Sequence, residues 1–83
     1  MYKIIFEKRA LHDLQKLESQ IKERIWNKLQ DCKEDPFRFF EKLKEMEGFK
    51  LRVGDYRVIT DIFRDKEVII ILKVGHRKNI YER

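Results

Sequence analysis

Lys50, Arg52 and Arg57 are the residues whose spacing first suggests chemistry. They flank Gly54-Asp55, a glycine-first pair of the kind that closes two-residue β-hairpins. A two-residue turn sets Val53 opposite Tyr56, Arg52 opposite Arg57 and Lys50 opposite Ile59. Side chains directly across an antiparallel pair share a face, with Cβ atoms about 5 Å apart, and like charges placed there repel. Arg opposite Arg is a liability that a bound anion would relieve. The competing reading is an exposed sheet face with Asp55 or Asp61 as counter-charge. Register decides between them, because a three-residue or bulged turn sends the two arginines to opposite faces.

A fourth cation, Arg77, tests the idea. In the last strand the odd positions are Ile69, Ile71, Lys73, Gly75 and Arg77; the even ones are Val68, Ile70, Leu72, Val74 and His76. Arg77 joins the Arg57 face if the turn near Asp65-Lys66 has an odd number of residues, or if a bulge shifts the register; such a shift is expected. His76 then falls on the opposite side. The strand is apolar on both sides, as a central strand covered on both faces would be. Helices can cover one face. The other needs the Phe-rich connector, the C-terminal tail or another protein.

The elements that position these residues follow from periodicity. Residues 2–7 alternate and read as a first strand. From Ala10 the period lengthens, with Ala10, Leu14 and Leu17 on one helical face. Ser19 is the expected N-cap of a second helix, whose core stripe is Ile21, Ile25, Leu29 and Cys32 with Trp26 beside it. Asp35-Pro36 stops it, because a residue before proline is pushed out of helical geometry. Residues 37–47 form a connector with one helical turn at most. Strands follow from Phe49 to Val53, from Tyr56 to Phe63 and from Val68 to Gly75, ahead of a basic tail. One domain over residues 1–83 is expected. Its class is α+β, in the order β-α-α-β-β-β, with a helix hairpin packed on one face of an antiparallel sheet.

Composition narrows the function classes. The chain of 83 residues carries 20 Lys plus Arg against 15 Asp plus Glu, a net charge of +5. Residues 1–41 hold nine basic and eight acidic side chains, and residues 42–83 hold eleven and seven, so the second half carries +4 of the excess. Either a solvated surface or a polyanion partner, nucleic acid or an acidic protein segment, fits that bias. The longest apolar run, Val68 to Leu72, is far short of the roughly 18 residues of a membrane span. The N-terminus has no signal-peptide pattern. The lone Cys32 cannot form an internal disulfide, so a reducing, cytoplasmic setting and no membrane association are expected. Cys32, Trp26 and the phenylalanines read as core, and His12 as a solvated side chain. No CxxC, HExxH, Walker loop or dinucleotide glycine pattern occurs, so neither metal nor cofactor is expected.

Two runs carry a family likeness. Residues 50–59 (KLRVGDYRVI) and 74–81 (VGHRKNIY) resemble the RelE/ParE superfamily of toxins from type II toxin–antitoxin systems. The opening Ile-Phe-x-x-x-Ala, the Asp-Leu-x-Lys-Leu at 13–17 and the Asp-Pro at 35–36 fit as well, so the likeness covers nearly the whole chain. The resemblance implies a RelE-like, microbial-RNase-like fold and ribosome-dependent cleavage of mRNA in the A site. The reaction is attack of a ribose 2′-hydroxyl on the adjacent phosphate. It implies that Arg57 and Arg77 stabilise the scissile phosphate, with Lys50 and Tyr81 completing the catalytic set. Tyr81 would stack on a base or orient the 2′-hydroxyl. Arg52, Lys73, His76 and Lys78 would hold RNA. A cognate RelB-like antitoxin, the ribosome and mRNA are the implied partners. Some RelE proteins carry a second lysine two residues before the one matching Lys50; this chain has Gly48. The alternatives are a ParE-like inhibitor of DNA gyrase and a basic nucleic-acid-binding module without turnover.

Overall fold

The computed structural model describes residues 1–80. The elements are β1 (Lys3–Phe6), α1 (Lys8–Gln15), α2 (Ser19–Asp31), β2 (Glu41–Lys42), β3 (Phe49–Val53), β4 (Tyr56–Phe63) and β5 (Val68–His76). A 3-10 turn at Pro36–Arg38 links α2 to β2. The strands form one sheet in the order β1-β5-β4-β3-β2, with both helices on one face. The expected α+β architecture holds, with two corrections: the sheet is mixed, and the connector contributes a fifth strand, the two-residue β2. β1 pairs with β5 in parallel, Lys3 against Val68 through Phe6 against Ile71. Crossing from β1 through two helices and three further strands lets the chain re-enter beside β1 in the same direction, which no hairpin can do.

The helix pair buries what its spacing demands. Ala10 and Leu14 of α1 and Ile25 and Leu29 of α2 pack against Leu51, Val53, Val58, Ile69, Ile71 and Val74 of the sheet. Glu18, not Ser19, is the N-cap of α2, and it makes no side-chain capping bond. Cys32 closes the same stripe: its Sγ donates to the Lys28 carbonyl at 3.1 Å, and burial pushes its pKa up to about 11. It is an apolar core group and not a nucleophile. Trp26 departs from the expected core: it is 49% exposed, stacked on Phe6 at 6.3 Å.

The second face of β5 is covered from within the chain. Leu43 of the connector and Ile80 of the tail pack with Ile59 and Leu72 into a small cluster of their own. The backbone N–H groups of Asn79 and Ile80 both bond to the His76 carbonyl, which curls the tail over Gly75. Ile80 Cδ1 would lie 3.2 Å from a Cβ at Gly75, so the missing side chain there makes room for the tail. Truncating a buried isoleucine costs about 2–5 kcal/mol. Ile80→Ala should therefore lower the unfolding free energy measured in urea by that amount, while Met46→Ala, at an exposed methionine, should leave it unchanged.

Candidate functional site

The β3–β4 hairpin closes as the two-residue turn requires. Val53 pairs with Tyr56, Arg52 with Arg57 and Lys50 with Ile59. Gly54 takes φ +61°, the left-handed value that a glycine accepts without steric cost. The two arginines therefore share a face. Asp55 is not their counter-charge: its Oδ1 lies 3.8 Å from Arg77 Nε. Among the described residues, no ion pair involves Arg52 or Arg57.

Arg57 is held by backbone instead. Its Nη1 donates to the carbonyls of Gly54 and Tyr56, each at 2.9 Å, and only 8% of the residue is exposed. Two carbonyl dipoles fix the guanidinium without neutralising it. A charge held in place before a ligand arrives needs little reorganisation when one binds.

Arg77 reaches this face through a bulge. β4 and β5 pair from Phe63 opposite Val68 to Thr60 opposite Ile71, then resume at Ile59 opposite Lys73, with Leu72 left over. The connecting loop, residues 64–67, has an even number of residues, so the extra Leu72 supplies the change of parity. Beyond it Arg57 lies opposite Gly75, and the Arg77 N–H donates to the Asp55 carbonyl at 2.8 Å, continuing the ladder. Lys50, Arg52, Arg57, Lys73 and Arg77 thus fall on one face, successive same-face residues about 7 Å apart along each strand. Two carboxylates lie near them, Asp55 at Arg77 and Glu41, whose Oε1 is 3.8 Å from Lys50 Nζ.

The other expected site residues stand apart from this group. His76 pairs opposite Tyr56 on the helix side, its ring 5.4 Å from the tyrosine ring. Its Nδ1 accepts the Lys78 N–H at 3.2 Å. Lys78 is exposed in the turn after β5. Tyr81 lies outside the described residues. Among those residues, no group of three or more His, Cys, Asp or Glu could hold a metal ion, and no helix is long and apolar enough to cross a membrane.

Sequence reasoning missed Asp13. β1 ends at Phe6, so β5 beyond Ile71 has no strand on that side. Asp13, in the last turn of α1, fills the gap: its Oδ2 accepts the Val74 N–H at 3.1 Å, with Arg9 Nε 3.8 Å away. A helical carboxylate thus does the work of a missing strand, just before the stretch that ends in Arg77. The only local signal was an acid on the buried side of α1.

A family model described as the ParE toxin of the type II toxin–antitoxin system, parDE, matches residues 4–81. The chain belongs to this toxin family. It is 32% identical over 80 residues to the mRNA interferase toxin RelE of Escherichia coli strain K12, covering 93% of this chain and 84% of that one. Among solved structures it is similar to a chain of the toxin–antitoxin complex RelBE2 from Mycobacterium tuberculosis, with a TM-score of 0.83 and 32% identity over 92% of this chain and 98% of the other. A chain of the intact E. coli RelBE complex gives a TM-score of 0.75 at 31% identity, with both chains covered in full.

Gly48 has a backbone that suits glycine. Gly48 takes φ +116°, and a Cβ there would lie 2.9 Å from the Thr60 carbonyl oxygen. A side chain in such a backbone costs about 1–3 kcal/mol. Gly48→Lys should therefore lower stability in urea by that amount instead of adding a usable cation. Asp13→Ala, which strands the Val74 N–H, should lose about 1–3 kcal/mol in the same measurement, with hydrogen exchange faster at Val74 than across the β3–β4 ladder.

Proposed function

We propose that this toxin is a ribosome-dependent endoribonuclease of the cytoplasm, which cuts mRNA in the A site and is silenced by a cognate RelB-like antitoxin. The observation that carries the reading is Arg57: buried, clamped by two carbonyls and set among four other cations on one face. The similarity to the E. coli mRNA interferase toxin RelE supports it. The relatives' toxin–antitoxin complexes support the partner.

The chemistry asks little of the protein beyond charge and position. The 2′-oxygen attacks the adjacent phosphorus while its proton leaves to a base. The bond to the 5′-oxygen breaks as that oxygen takes a proton from a general acid, giving a cyclic phosphate and a free 5′-hydroxyl. Negative charge builds on the non-bridging oxygens between these events. Arg57 and Arg77 stabilise that charge, and a fixed guanidinium is worth more there than a mobile one. Lys50 and Arg52 sit on the neighbouring strand to hold the backbone. Tyr81 stacks on a base or orients the 2′-hydroxyl, and Lys73, Lys78 and His76 give further contacts to RNA.

The matching family model is that of ParE toxins; the ParE-like alternative is inhibition of DNA gyrase, and one assay separates the two. The protein is added to a translating extract and mRNA ends are mapped by primer extension. Wild type should cut within codons. Arg77→Ala is the informative variant, because Arg77 is exposed and its loss leaves the core intact; it should cut about 100-fold more slowly or less. Intact message alongside gyrase-dependent DNA breaks would sink the ribonuclease reading.

A further inference from the structure

A second cationic feature lies around the β3 edge from the Arg57 face. Arg24, Lys28 and Asp31 recur at helical spacing along one stripe of α2. With Asn27, Arg52 and Gly54 they line a groove of about 340 Å³ between that helix and the tip of the β3–β4 hairpin. Its two helix cations rest against the protein. Arg24 rests on the hairpin backbone so closely that a Cβ on Gly54 would come within 2.9 Å of Nη2 and 3.3 Å of Nη1. Lys28 Nζ sits 5.0 Å from the centre of the Phe39 ring. No ion pair among the described residues engages Arg24, Lys28 or Arg52.

We infer that this groove is a second phosphodiester site, which grips the RNA backbone beside the segment being cut, with Arg24 and Lys28 as its principal ligands. The inference rests on the RNA reading above and extends it. Arg52 makes the connection: it pairs opposite Arg57 in the ladder and also lines the groove. A chain with one charge per unit, crossing the β3 edge, would meet cations on both sides of it. An amphipathic acidic peptide fits less well. Such a segment needs apolar surface to bury, and the groove offers Val53 alone. Strand addition is poorly served too, since β2 already pairs with Phe49 and Lys50 and leaves only a short stretch of β3 open.

The test uses the whole chain and a 2′-O-methylated oligouridylate, which has no attacking hydroxyl. Binding is measured against salt concentration for wild type, Arg24→Gln, Lys28→Gln and Arg24→Lys, each checked for an unchanged thermal melt. For single strands, each phosphate contact contributes about 0.7 to the slope of log affinity against log salt. Each glutamine variant should therefore lose about 0.7 of that slope, and Arg24→Lys should retain it. Mapped cleavage on ribosomes should slow about tenfold in Arg24→Gln/Lys28→Gln. Wild-type slopes in both glutamine variants would overturn the assignment, as would no binding by wild type at low salt. An acidic peptide that loses affinity in these variants while the RNA slope stays unchanged would give the groove to a protein and overturn it too. Wild type that binds the oligouridylate but leaves ribosomal mRNA intact would defeat the ribonuclease reading and leave the groove standing.

Discussion

Leu72 is one residue too many for the β4–β5 ladder, and the cationic face depends on that surplus. Before it, Ile69 and Ile71 point to the helices; after it, Val74 does, three residues on from Ile71 instead of two. Were the pairing regular, Lys73 and Arg77 would follow Ile71 into the helix-side core. Burying two uncompensated cations there would cost several kcal/mol each. The bulge therefore lets one strand supply a packed core at one end and a charged surface at the other.

A second constraint is at the hairpin tip. Gly54 is touched by Arg57 through its carbonyl and by Arg24 against its Cα, so two guanidiniums flank a single glycine. Carbonyl dipoles take up part of the repulsion between Arg52 and Arg57 without removing either charge. That is how a sheet can tolerate adjacent arginines with no carboxylate between them. The arrangement favours an anion because the positive potential remains when the site is empty.

Local chemistry made some parts legible in the sequence and distant geometry hid the others. Gly54-Asp55 disclosed the hairpin register to the residue, because a glycine-first pair admits few turns. The α2 stripe of Ile25, Leu29 and Cys32 was equally plain, and so was the need for cover over β5, which Leu43 and Ile80 supply. The direction of β1 was hidden, since an alternating hexamer looks the same in parallel and antiparallel pairs and its partner is more than sixty residues away. β2 is two charged residues, Glu41 and Lys42, with no pattern to read. Trp26 misled because a tryptophan next to a core stripe is usually buried; here Phe6 takes one ring face and solvent the rest. Asp13 and Arg24 act on backbone reached only through the fold, at Val74 and Gly54.

The parallel pairing of β1 with β5 bears on when the protein can exist at all. During synthesis β1 and both helices emerge early, but the strand that must lie between β1 and β4 is not made until residue 68 and beyond. Until then the apolar faces of α1 and α2 have no complete sheet to cover, and the chain has no short-range route to its native core. Folding is thus tied to synthesis of β5. The Arg57 hairpin can close locally, yet Lys73, Arg77 and the bulge arrive with β5, so a nascent chain that stops short of it carries three of the five cations of that face.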